Sequence, residues 1–256
     1  MNEAEVVIEF AGVEKSFGSL AVLRGVDLRI RAGETFTILG GSGSGKSVCL
    51  KHMVGLMKPD RGRVVVLGQD ITHASEQRLI PIRTAVSMIF QSAALFDSLT
   101  VYENVAYPLR EHRPWDEARI AARVGECLEA VGLGGVERKM PAELSGGMRK
   151  RVGVARGIAL EPRVILYDEP TTGLDPANQR RIGDLIRSLQ QRLGVTSVIV
   201  THDLELCFSV SDRVALLRQG RIAAQGSAES MRHSDHPDVR AFLSGERDAV
   251  AEAAGG

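Results

Sequence analysis

The stretch GGSGSGKS at residues 40–47 indicates the fold class of this 256-residue chain. It fits the phosphate-loop template, in which a glycine is followed by four residues and then by glycine, lysine and serine. The strand-like run TFTIL at residues 35–39 precedes it, and an apolar helical pattern follows it. Because the template requires a loop between a strand and a helix, this context favours a nucleotide-binding site over a glycine-rich turn that only caps a helix.

The residue types of the loop suit the binding of a nucleoside triphosphate. Glycines permit backbone angles and a close approach that bring successive N–H groups against phosphate oxygens. Lys46 offers a positive charge to the outer phosphates, and the hydroxyl of Ser47 is placed to ligate Mg²⁺. A helix that begins near Gly45 adds the positive end of its dipole. The predicted nucleotide contacts are Gly40, Gly41, Ser42, Gly43, Ser44, Gly45, Lys46 and Ser47.

The composition is that of a globular, enzyme-sized chain. Hydrophobic residues make up 44% of the sequence, enough to bury a substantial core. Lys plus Arg and Asp plus Glu are equal at 32 each, so no global basic field draws the chain to nucleic acid. Aromatic residues are scarce at 4%, which leaves few platforms for base stacking. We therefore expect no nucleic-acid partner.

The cysteines and the apolar runs bear on the cellular compartment. Cys49, Cys127 and Cys207 lack paired spacing, which argues against a zinc cluster or a disulfide framework and favours buried thiols in a reducing compartment. No window approaches 18 consecutive apolar residues, and the acidic N-terminus MNEAEVVIEF lacks the layout of a secretion signal. We expect a cytoplasmic protein that reaches a membrane only through a partner.

The order of strand and helix patterns predicts an α/β fold. The first third is rich in strand-like runs, among them residues 6–10 and 26–30. Residues 99–160 carry a helical pattern, with a helix predicted from Trp115 to Val131, and indicate an inserted helical subdomain. Strands then alternate with helices, which implies a mainly parallel sheet of the phosphate-loop NTPase type beside an antiparallel β subdomain. We predict a single nucleotide-binding domain over residues 5–245 and a disordered tail over residues 246–256.

A strand ending in two carboxylates follows the helical segment. VILYDE at residues 164–169 places Asp168 and Glu169 where an open α/β sheet presents its ligand groups. We expect Asp168 to bind Mg²⁺ through water and Glu169 to polarise the water that attacks the terminal phosphate. The alternative is a charged strand end that leads into the turn Pro170-Thr171.

Two further polar residues follow predicted strands. His202 comes after the strand at residues 197–200, so its imidazole can reach the same sheet edge and contact the terminal phosphate. Gln91 ends the strand-like run at residues 85–90 and can ligate Mg²⁺ or its water. Taken alone, each residue is also explained as a polar group at a strand end. The combination with the phosphate loop favours a functional role for both.

The stretch LSGGM at residues 144–148 predicts a second anion site. Ser145, Gly146 and Gly147 precede a helical run whose first amides need partners. The chain already has one phosphate site, so this helix start is best used on the nucleotide of an identical subunit in a head-to-tail dimer. Hydrolysis would then remove binding energy from the closed dimer and open it.

The whole set, in this order, resembles the ATP-binding-cassette family over about residues 6–226: phosphate loop, Gln91 loop, LSGGM signature, YDEP strand, Gly173-Leu174-Asp175 loop and His202. The resemblance implies ATP and Mg²⁺ as ligands. It also implies that Phe17 stacks on adenine, although a phenylalanine in KSFG is otherwise explained as core. Asp175 would lie across the dimer joint, and it also suits the cap of the helix that Pro176 begins.

The signature departs from the family pattern because Met148 stands where most cassettes have glutamine. With GGSGSGKSVCLKHMVGL and FQSAALFDSLTVYENVAYPLREH, this variant resembles the subgroup that serves phospholipid-trafficking transporters, the maintenance-of-lipid-asymmetry system and its relatives. That resemblance implies a homodimer beneath two membrane permease subunits at the inner membrane. It also implies a periplasmic lipid-binding protein and a small cytoplasmic accessory subunit. Cargo and direction of transport do not follow from this chain.

Three other functions remain to be weighed. Within the transport class, an exporter or a nutrient importer of another cargo remains the alternative. A cassette acting in DNA repair usually needs a long coiled-coil insertion or zinc-binding cysteines, and a translation-associated cassette carries two phosphate loops in one chain. This sequence has no long coiled-coil insertion and no paired cysteines that suit zinc. It contains one phosphate loop rather than two.

The segment at residues 91–107 carries more apolar side chains than a solvated loop needs. It predicts a groove for a short permease helix, and packing in the core is the alternative for part of the set. The residues concerned are Leu95, Phe96, Leu99, Val101, Val105 and Tyr107.

Overall fold

A computed structural model describes residues 5–245 and has ten strands within that range. In chain order they are β1 (Val6–Phe17), β2 (Leu20–Arg31), β3 (Thr35–Leu39), β4 (Arg61–Val66), β5 (Gln69–Asp70), β6 (Val86–Ile89), β7 (Val164–Asp168), β8 (Thr196–Thr201), β9 (Arg213–Arg218) and β10 (Arg221–Ser227).

The helices of the described range complete the inventory of elements. They are α1 (Lys46–Met53), α2 (Glu76–Ala85), α3 (Val101–His112), α4 (Glu117–Ala130), α5 (Gly146–Ile158), α6 (Pro176–Leu193), α7 (Leu204–Val210), α8 (Ala228–Arg232) and α9 (Pro237–Leu243), with a short 3₁₀ turn at Pro141–Glu143. Within residues 5–245, no helix is both long and apolar enough to cross a membrane.

The strands form two sheets. The first is antiparallel, in the order β2-β1-β4-β5, and the second has the order β10-β9-β3-β8-β7-β6. In the second sheet β9, β3, β8, β7 and β6 are parallel, and only β10 pairs in the antiparallel direction. The predicted α/β class, with a mainly parallel sheet and an antiparallel β subdomain, is confirmed.

The central parallel strands are buried on both faces, which explains their continuous apolar sequences. In β7, Val164 and Leu166 pack into the core shared with the antiparallel sheet and α1. Ile165 and Tyr167 point the other way, into a core formed with the helices. Because alternate side chains serve opposite faces, the strand tolerates a polar residue only at its end, where Asp168 is half-buried.

Three helices fill the segment between β6 and β7. At the start of α3, the hydroxyl of Thr100 accepts from the Glu103 amide, and the Glu103 carboxylate accepts from the Thr100 amide, which is a capping box. Asp116 caps α4 through the Arg119 amide. The apolar faces of α3, α4 and α5 share the second core with α6 and β7. The proposed subdomain bounds of 99–160 stay a prediction.

The structure differs from the sequence prediction in the extent of several elements. The strand β1 continues to Phe17, well beyond the predicted run at residues 6–10, and β2 begins already at Leu20, well before the predicted run at residues 26–30. Polar residues are tolerated in these strands because one face of an antiparallel sheet can meet water. The predicted helix from Trp115 to Val131 is shorter, because Asp116 caps it.

Two short helices were not predicted. The helix α2 contains Pro81 and has only two buried residues, Leu79 and Ile82, so it lacks a repeating apolar stripe. The helix α7 follows His202 with only seven residues. Tertiary packing, rather than periodicity, holds such short helices. The predicted tail, residues 246–256, lies outside the described residues.

Candidate functional site

The order of the parallel sheet brings the phosphate loop and the acidic strand to one edge. The loop follows β3, the two carboxylates end β7, and His202 follows β8, which lies between β3 and β7. Since the carboxyl ends of parallel strands meet at one edge of a sheet, segments far apart in sequence become neighbours. Ser47 and Asp168, for example, are 121 positions apart and are hydrogen-bonded.

The phosphate loop is packed so tightly that it needs glycine at two positions. A Cβ on Gly40 would lie 2.6 Å from the Leu217 carbonyl oxygen and 2.6 Å from the Ser44 Oγ. Gly45 has a φ of 104°, and a Cβ there would meet the Leu23 side chain at 2.9 Å. The Ser44 Oγ is buried without a hydrogen-bond partner, so the loop retains a polar group that is able to bind a ligand.

Lys46 begins α1 and lies inside the loop, with 6% of its side chain exposed. Its Nζ donates to the carbonyl oxygens of Gly40 at 2.8 Å and Gly41 at 2.9 Å. The same Nζ lies 3.3 Å from the Glu169 Oε1. A buried ammonium is costly unless it is paired, so these contacts hold a positive charge at the position predicted for phosphate.

Asp168 and Ser47 form a pair of oxygen groups beside the loop. The Ser47 Oγ donates to the Asp168 Oδ1 at 2.8 Å. Burial raises the pKa of Asp168, the nearby Glu169 raises it further, and the Ser47 hydrogen bond and the Lys46 charge act in the opposite direction. A hydroxyl and a carboxylate are ligand types that suit Mg²⁺, so these residues fit the predicted metal.

Glu169 is held by several contacts and has an uncommon backbone conformation. Its φ is 47°, in the left-handed region, and only 12% of its side chain is exposed. The Thr201 Oγ1 donates to the Glu169 Oε2 at 3.0 Å, and the His202 Nδ1 lies 3.0 Å from the same oxygen. The His202 side chain remains 60% exposed. The carboxylate thus has a fixed position next to an accessible imidazole.

The remaining predicted nucleotide residues lie outside this cluster. Gln91 lies on an exposed turn just after β6, and Phe17 ends β1 with 47% of its surface exposed and the Lys15 Nζ 5.9 Å from its ring centroid. Ser145 caps α5 by accepting from the Met148 amide at 3.3 Å. These positions leave the predicted contacts to adenine and to a second nucleotide as expectations.

The signature and the Asp175 loop meet through one residue of α6. Asp175 caps α6 by accepting from the Asn178 amide at 3.0 Å and from the Asn178 side chain at 2.6 Å. A Cβ on Gly147 would lie 2.9 Å from the Asn178 Oδ1, so the signature helix packs closely against this cap. The two segments predicted to face a second subunit therefore support each other within one chain.

Two residues at the cluster were not singled out from the sequence. Thr201 directly precedes His202 at the end of β8, and this adjacency is the one sequence signal for its hydrogen bond to Glu169. Lys150 donates to the backbone carbonyl oxygens of Pro170 at 2.8 Å and of Glu169 at 3.5 Å. No motif marks this contact, because it joins α5 to the end of β7 through space.

Comparison with known proteins gives a consistent picture. The model of the family described as ABC transporter matches residues 23–172. The chain is 45% identical over 242 residues to the probable ribonucleotide transport ATP-binding protein mkl of Mycobacterium leprae, covering 94% of this chain and 70% of that protein. It is 40% identical to the intermembrane phospholipid transport system ATP-binding protein MlaF of Escherichia coli K12, covering 94% and 90%.

A solved structure resembles the whole arrangement. The post-hydrolysis dimer of the ATP-binding cassette MJ0796, bound to ADP and Pi, superposes with a TM-score of 0.80 at 31% sequence identity. The match covers 86% of this chain and 98% of that one.

Proposed function

The chain belongs to the ABC transporter family as an ATP-binding subunit, and from that membership we propose that it drives a transporter whose cargo is phospholipid. Its relatives hydrolyse ATP to power transport, and cassettes of the family work as dimers with membrane permeases. For this chain, the proposal adds the cargo, the dimer cycle and the identity of the remaining partners.

One observation carries the catalytic part of the proposal. Lys46, Ser47, Asp168, Glu169 and His202 come from three segments of the chain and are linked to one another at one sheet edge. A cation in a glycine cradle, a hydroxyl–carboxylate pair and a carboxylate held beside an imidazole are the parts that phosphoryl transfer to water requires. A charged strand end without function would not need all of them together.

Each residue has a role that follows from its contacts. Lys46 exchanges its carbonyl and Glu169 partners for the outer phosphates of ATP. Ser47 and Asp168 hold Mg²⁺, which neutralises phosphate charge when it is bound. Glu169, released from Lys46 but still oriented by Thr201, accepts the proton of the attacking water. His202 then steadies the terminal phosphate with a ring nitrogen.

The rest of the predicted set serves the ends of the nucleotide and the second subunit. Phe17 stacks on adenine, and Gln91 ligates Mg²⁺ or its water. Ser145, Gly146 and Gly147 meet the nucleotide of a partner copy, since the amides at the start of α5 suit an anion. Asp175 lies at the joint between copies. Two bound ATP molecules close the dimer, and hydrolysis opens it.

The choice of phospholipid rests on two features of this chain. It covers 90% of the phospholipid transport protein MlaF at 40% identity, and its signature ends in Met148. The name of mkl, ribonucleotide transport, supports a second candidate cargo at 45% identity. The permease, rather than this chain, contacts the cargo, so only the assembled complex distinguishes the two.

The proposed partners are a permease, a periplasmic lipid-binding protein and a small cytoplasmic accessory subunit. The permease docks on an aromatic pair, Phe96 and Tyr107, whose rings lie 5.0 Å apart and are 44% and 46% exposed. Val101 and Val105 of the same segment are fully buried, so the apolar set divides between docking surface and core. Through the permease, the chain works at the cytoplasmic face of the inner membrane.

The test is transport by the purified complex. The chain is co-purified with its companions from native membranes, the companions and bound lipids are identified by mass spectrometry, and the complex is reconstituted in vesicles. We expect ATP-dependent movement of labelled phospholipid, and none with a Glu169→Gln subunit. Movement of labelled ribonucleotide but not phospholipid would replace the proposed cargo with the second candidate.

A further inference from the structure

Lys150 joins the signature helix to the catalytic end of β7. It lies in the second turn of α5, and its half-buried Nζ donates to the Pro170 oxygen at 2.8 Å and to the Glu169 oxygen at 3.5 Å. Both acceptors are backbone carbonyls. The ammonium therefore fixes the peptide that carries the carboxylate, without touching the carboxylate oxygens themselves.

The peptide that Lys150 holds is one that needs support. A left-handed backbone at a non-glycine residue is strained and persists only where the surroundings over-determine it. The Glu169 amide donates to the Val200 oxygen at 2.9 Å, which ties one side of the residue to β8. On the other side, the Glu169 oxygen accepts from the Thr172 amide at 3.3 Å and from Lys150.

This conformation decides where the Glu169 side chain lies. In the left-handed conformation, its carboxylate reaches Thr201, His202 and Lys46. Relaxation of the backbone to an ordinary conformation would redirect the Cα–Cβ bond and break these contacts together. The hydrogen bonds to the Glu169 carbonyl oxygen therefore help to set the orientation of the proposed base.

We propose that Lys150 is a positioning residue for Glu169. Its ammonium holds the Glu169–Pro170 carbonyls, so the orientation of the base depends on the place of α5, the helix that begins at the signature. It also supplies a second positive charge near Glu169, beside Lys46. This inference rests on the proposed function, because it presupposes that Glu169 is the base.

A purely structural role for Lys150 is the competing explanation, and the next residue shows what such a role looks like. The Arg151 Nη1 donates to the carbonyl oxygens of Val131 and Gly132 at 3.0 Å each, at the end of α4. Burial lowers the pKa of both Lys150 and Arg151. Both side chains extend from the same helix, carry the same charge and bind two carbonyls each. Of the two, Lys150 contacts the backbone of Glu169.

The experiment compares Lys150→Met, Lys150→Arg and the matched control Arg151→Met by single-turnover ATP hydrolysis. For Lys150→Met we expect the rate of the chemical step to fall about 10- to 100-fold, because misplacement of a general base costs that much. The KM for ATP stays within about 2-fold of the original value, since Lys150 does not contact the phosphate loop. Arg151→Met keeps the hydrolysis rate, and Lys150→Arg restores most of it.

The division of the loss between the chemical step and the affinity for ATP distinguishes positioning from loss of stability. A misplaced base slows the chemical step and leaves the KM for ATP almost unchanged. Loss of stability alone lowers the amount of active protein, and it does so in Arg151→Met as well as in Lys150→Met. Melting temperatures, measured alongside, are expected to fall in both methionine variants. If Lys150→Met does not fold, Lys150→Gln, which is also uncharged, takes its place.

The result that overturns the proposal is a Lys150→Met or Lys150→Gln variant with a normal rate of the chemical step. Equal loss of rate in Lys150→Met and Arg151→Met overturns it too, since the effect would then follow from stability. A Glu169→Gln variant is measured in parallel. If that variant retains turnover, the assignment of the base fails and the proposal falls with it. If it is inactive while Lys150→Met is normal, only the role of Lys150 is wrong.

Discussion

Asp168 occupies a position where its charge opposes folding. The carboxylate is half-buried next to Glu169, and burial is the first cause of its raised pKa. Between the ordinary pKa of an aspartate, about 3.9, and the raised folded value, the folded chain binds more protons than the unfolded chain. The free energy of unfolding therefore falls as pH rises through this window. The charge of this proposed Mg²⁺ ligand therefore lowers the stability of the folded chain.

Replacement of Asp168 by asparagine removes that opposition. We expect Asp168→Asn to unfold at a higher temperature than the original chain at neutral pH, and the difference to disappear as the pH falls below about 4. Mg²⁺-dependent ATP hydrolysis is lost. Thermal unfolding across pH checks this, with the exposed Asp184→Asn as control. A lower melting temperature for Asp168→Asn at neutral pH would contradict the expected sign.

Lys46 is the residue on which nucleotide affinity should depend most. Hydrogen bonds to charged groups contribute about 1.5–3 kcal/mol, so Lys46→Ala should weaken ATP binding about 10- to 100-fold. Calorimetric titration with ATP measures it. Lys51→Ala serves as control, because Lys51 lies on the same helix with an exposed side chain. Full nucleotide affinity in Lys46→Ala would argue against the cradle.

At the scale of elements, the start of α6 combines a cap with a proposed interface. Asp175 closes the helix through the Asn178 amide, and this hydrogen bond is the first cause of the lowered pKa of Asp175. Asn178 in turn packs against Gly147 of the signature. The cap explanation for Asp175 is therefore confirmed by geometry, and the role across the dimer joint stays a proposal.

Two substitutions separate these roles of Asp175. Asp175→Ala loses the cap and should lower the melting temperature by about 2–4 °C, whereas Asp175→Ser keeps a capping oxygen and most of the stability. If the carboxylate also acts across the joint, both variants should hydrolyse ATP more slowly. Thermal unfolding and steady-state hydrolysis measure the two effects. Normal hydrolysis in Asp175→Ser would leave Asp175 with the cap alone.

At the scale of the whole molecule, the groups proposed to bind a nucleotide fall into two separate places on the chain. The phosphate loop and the carboxylates share one edge of the parallel sheet, whereas the signature packs against the start of α6. In the proposed head-to-tail pair of chains, each signature lies on the nucleotide of its partner. We expect this assembly to depend on ATP, because the nucleotide is part of the proposed joint.

We expect Glu169→Gln to dimerise in MgATP and to remain monomeric in MgADP, while turnover falls at least about 100-fold. Analytical ultracentrifugation measures the assembly. Gly146→Asp, added to Glu169→Gln, provides a sharp control: a Cβ there meets only the Leu174 side chain, at 3.9 Å, so the new carboxylate fits and repels phosphate. ATP binding should persist without dimerisation. If the double variant with Gly146→Asp still dimerises in MgATP, the proposed role of the signature is wrong.

The docking surface gives the last prediction. Phe96→Asp should leave ATP affinity unchanged but weaken association with the permease about 10-fold or more, because it places a charge in the centre of an apolar contact. Co-purification from membranes measures the effect. Leu193→Asp is the matched control, since Leu193 is also an exposed apolar residue, at the far end of α6. Unchanged co-purification of Phe96→Asp would remove the docking assignment.

Local patterns in the sequence were sufficient for much of this protein. The phosphate loop between β3 and α1, the acidic end of β7 and the cap of α6 depend on residues that are neighbours in the chain, so spacing and residue type predict them. The short helix α2 escaped prediction, because Pro81 and a sparse apolar face leave no periodic signal. The extent of β1 and β2 escaped for a similar reason, since polar residues are free to occupy a wet face.

From the amino-acid order alone follow the chemical groups of the protein and the strand or helix on which each one lies, because those features depend on short-range geometry. Tertiary packing sets which of these groups touch: Lys46 meets Glu169, Thr201 and His202 hold the same carboxylate, and Lys150 reaches the backbone of Glu169, the proposed base. Such contacts depend on the order of strands in a sheet and on the packing of helices against it. These are set by the burial of the whole core rather than by any one segment.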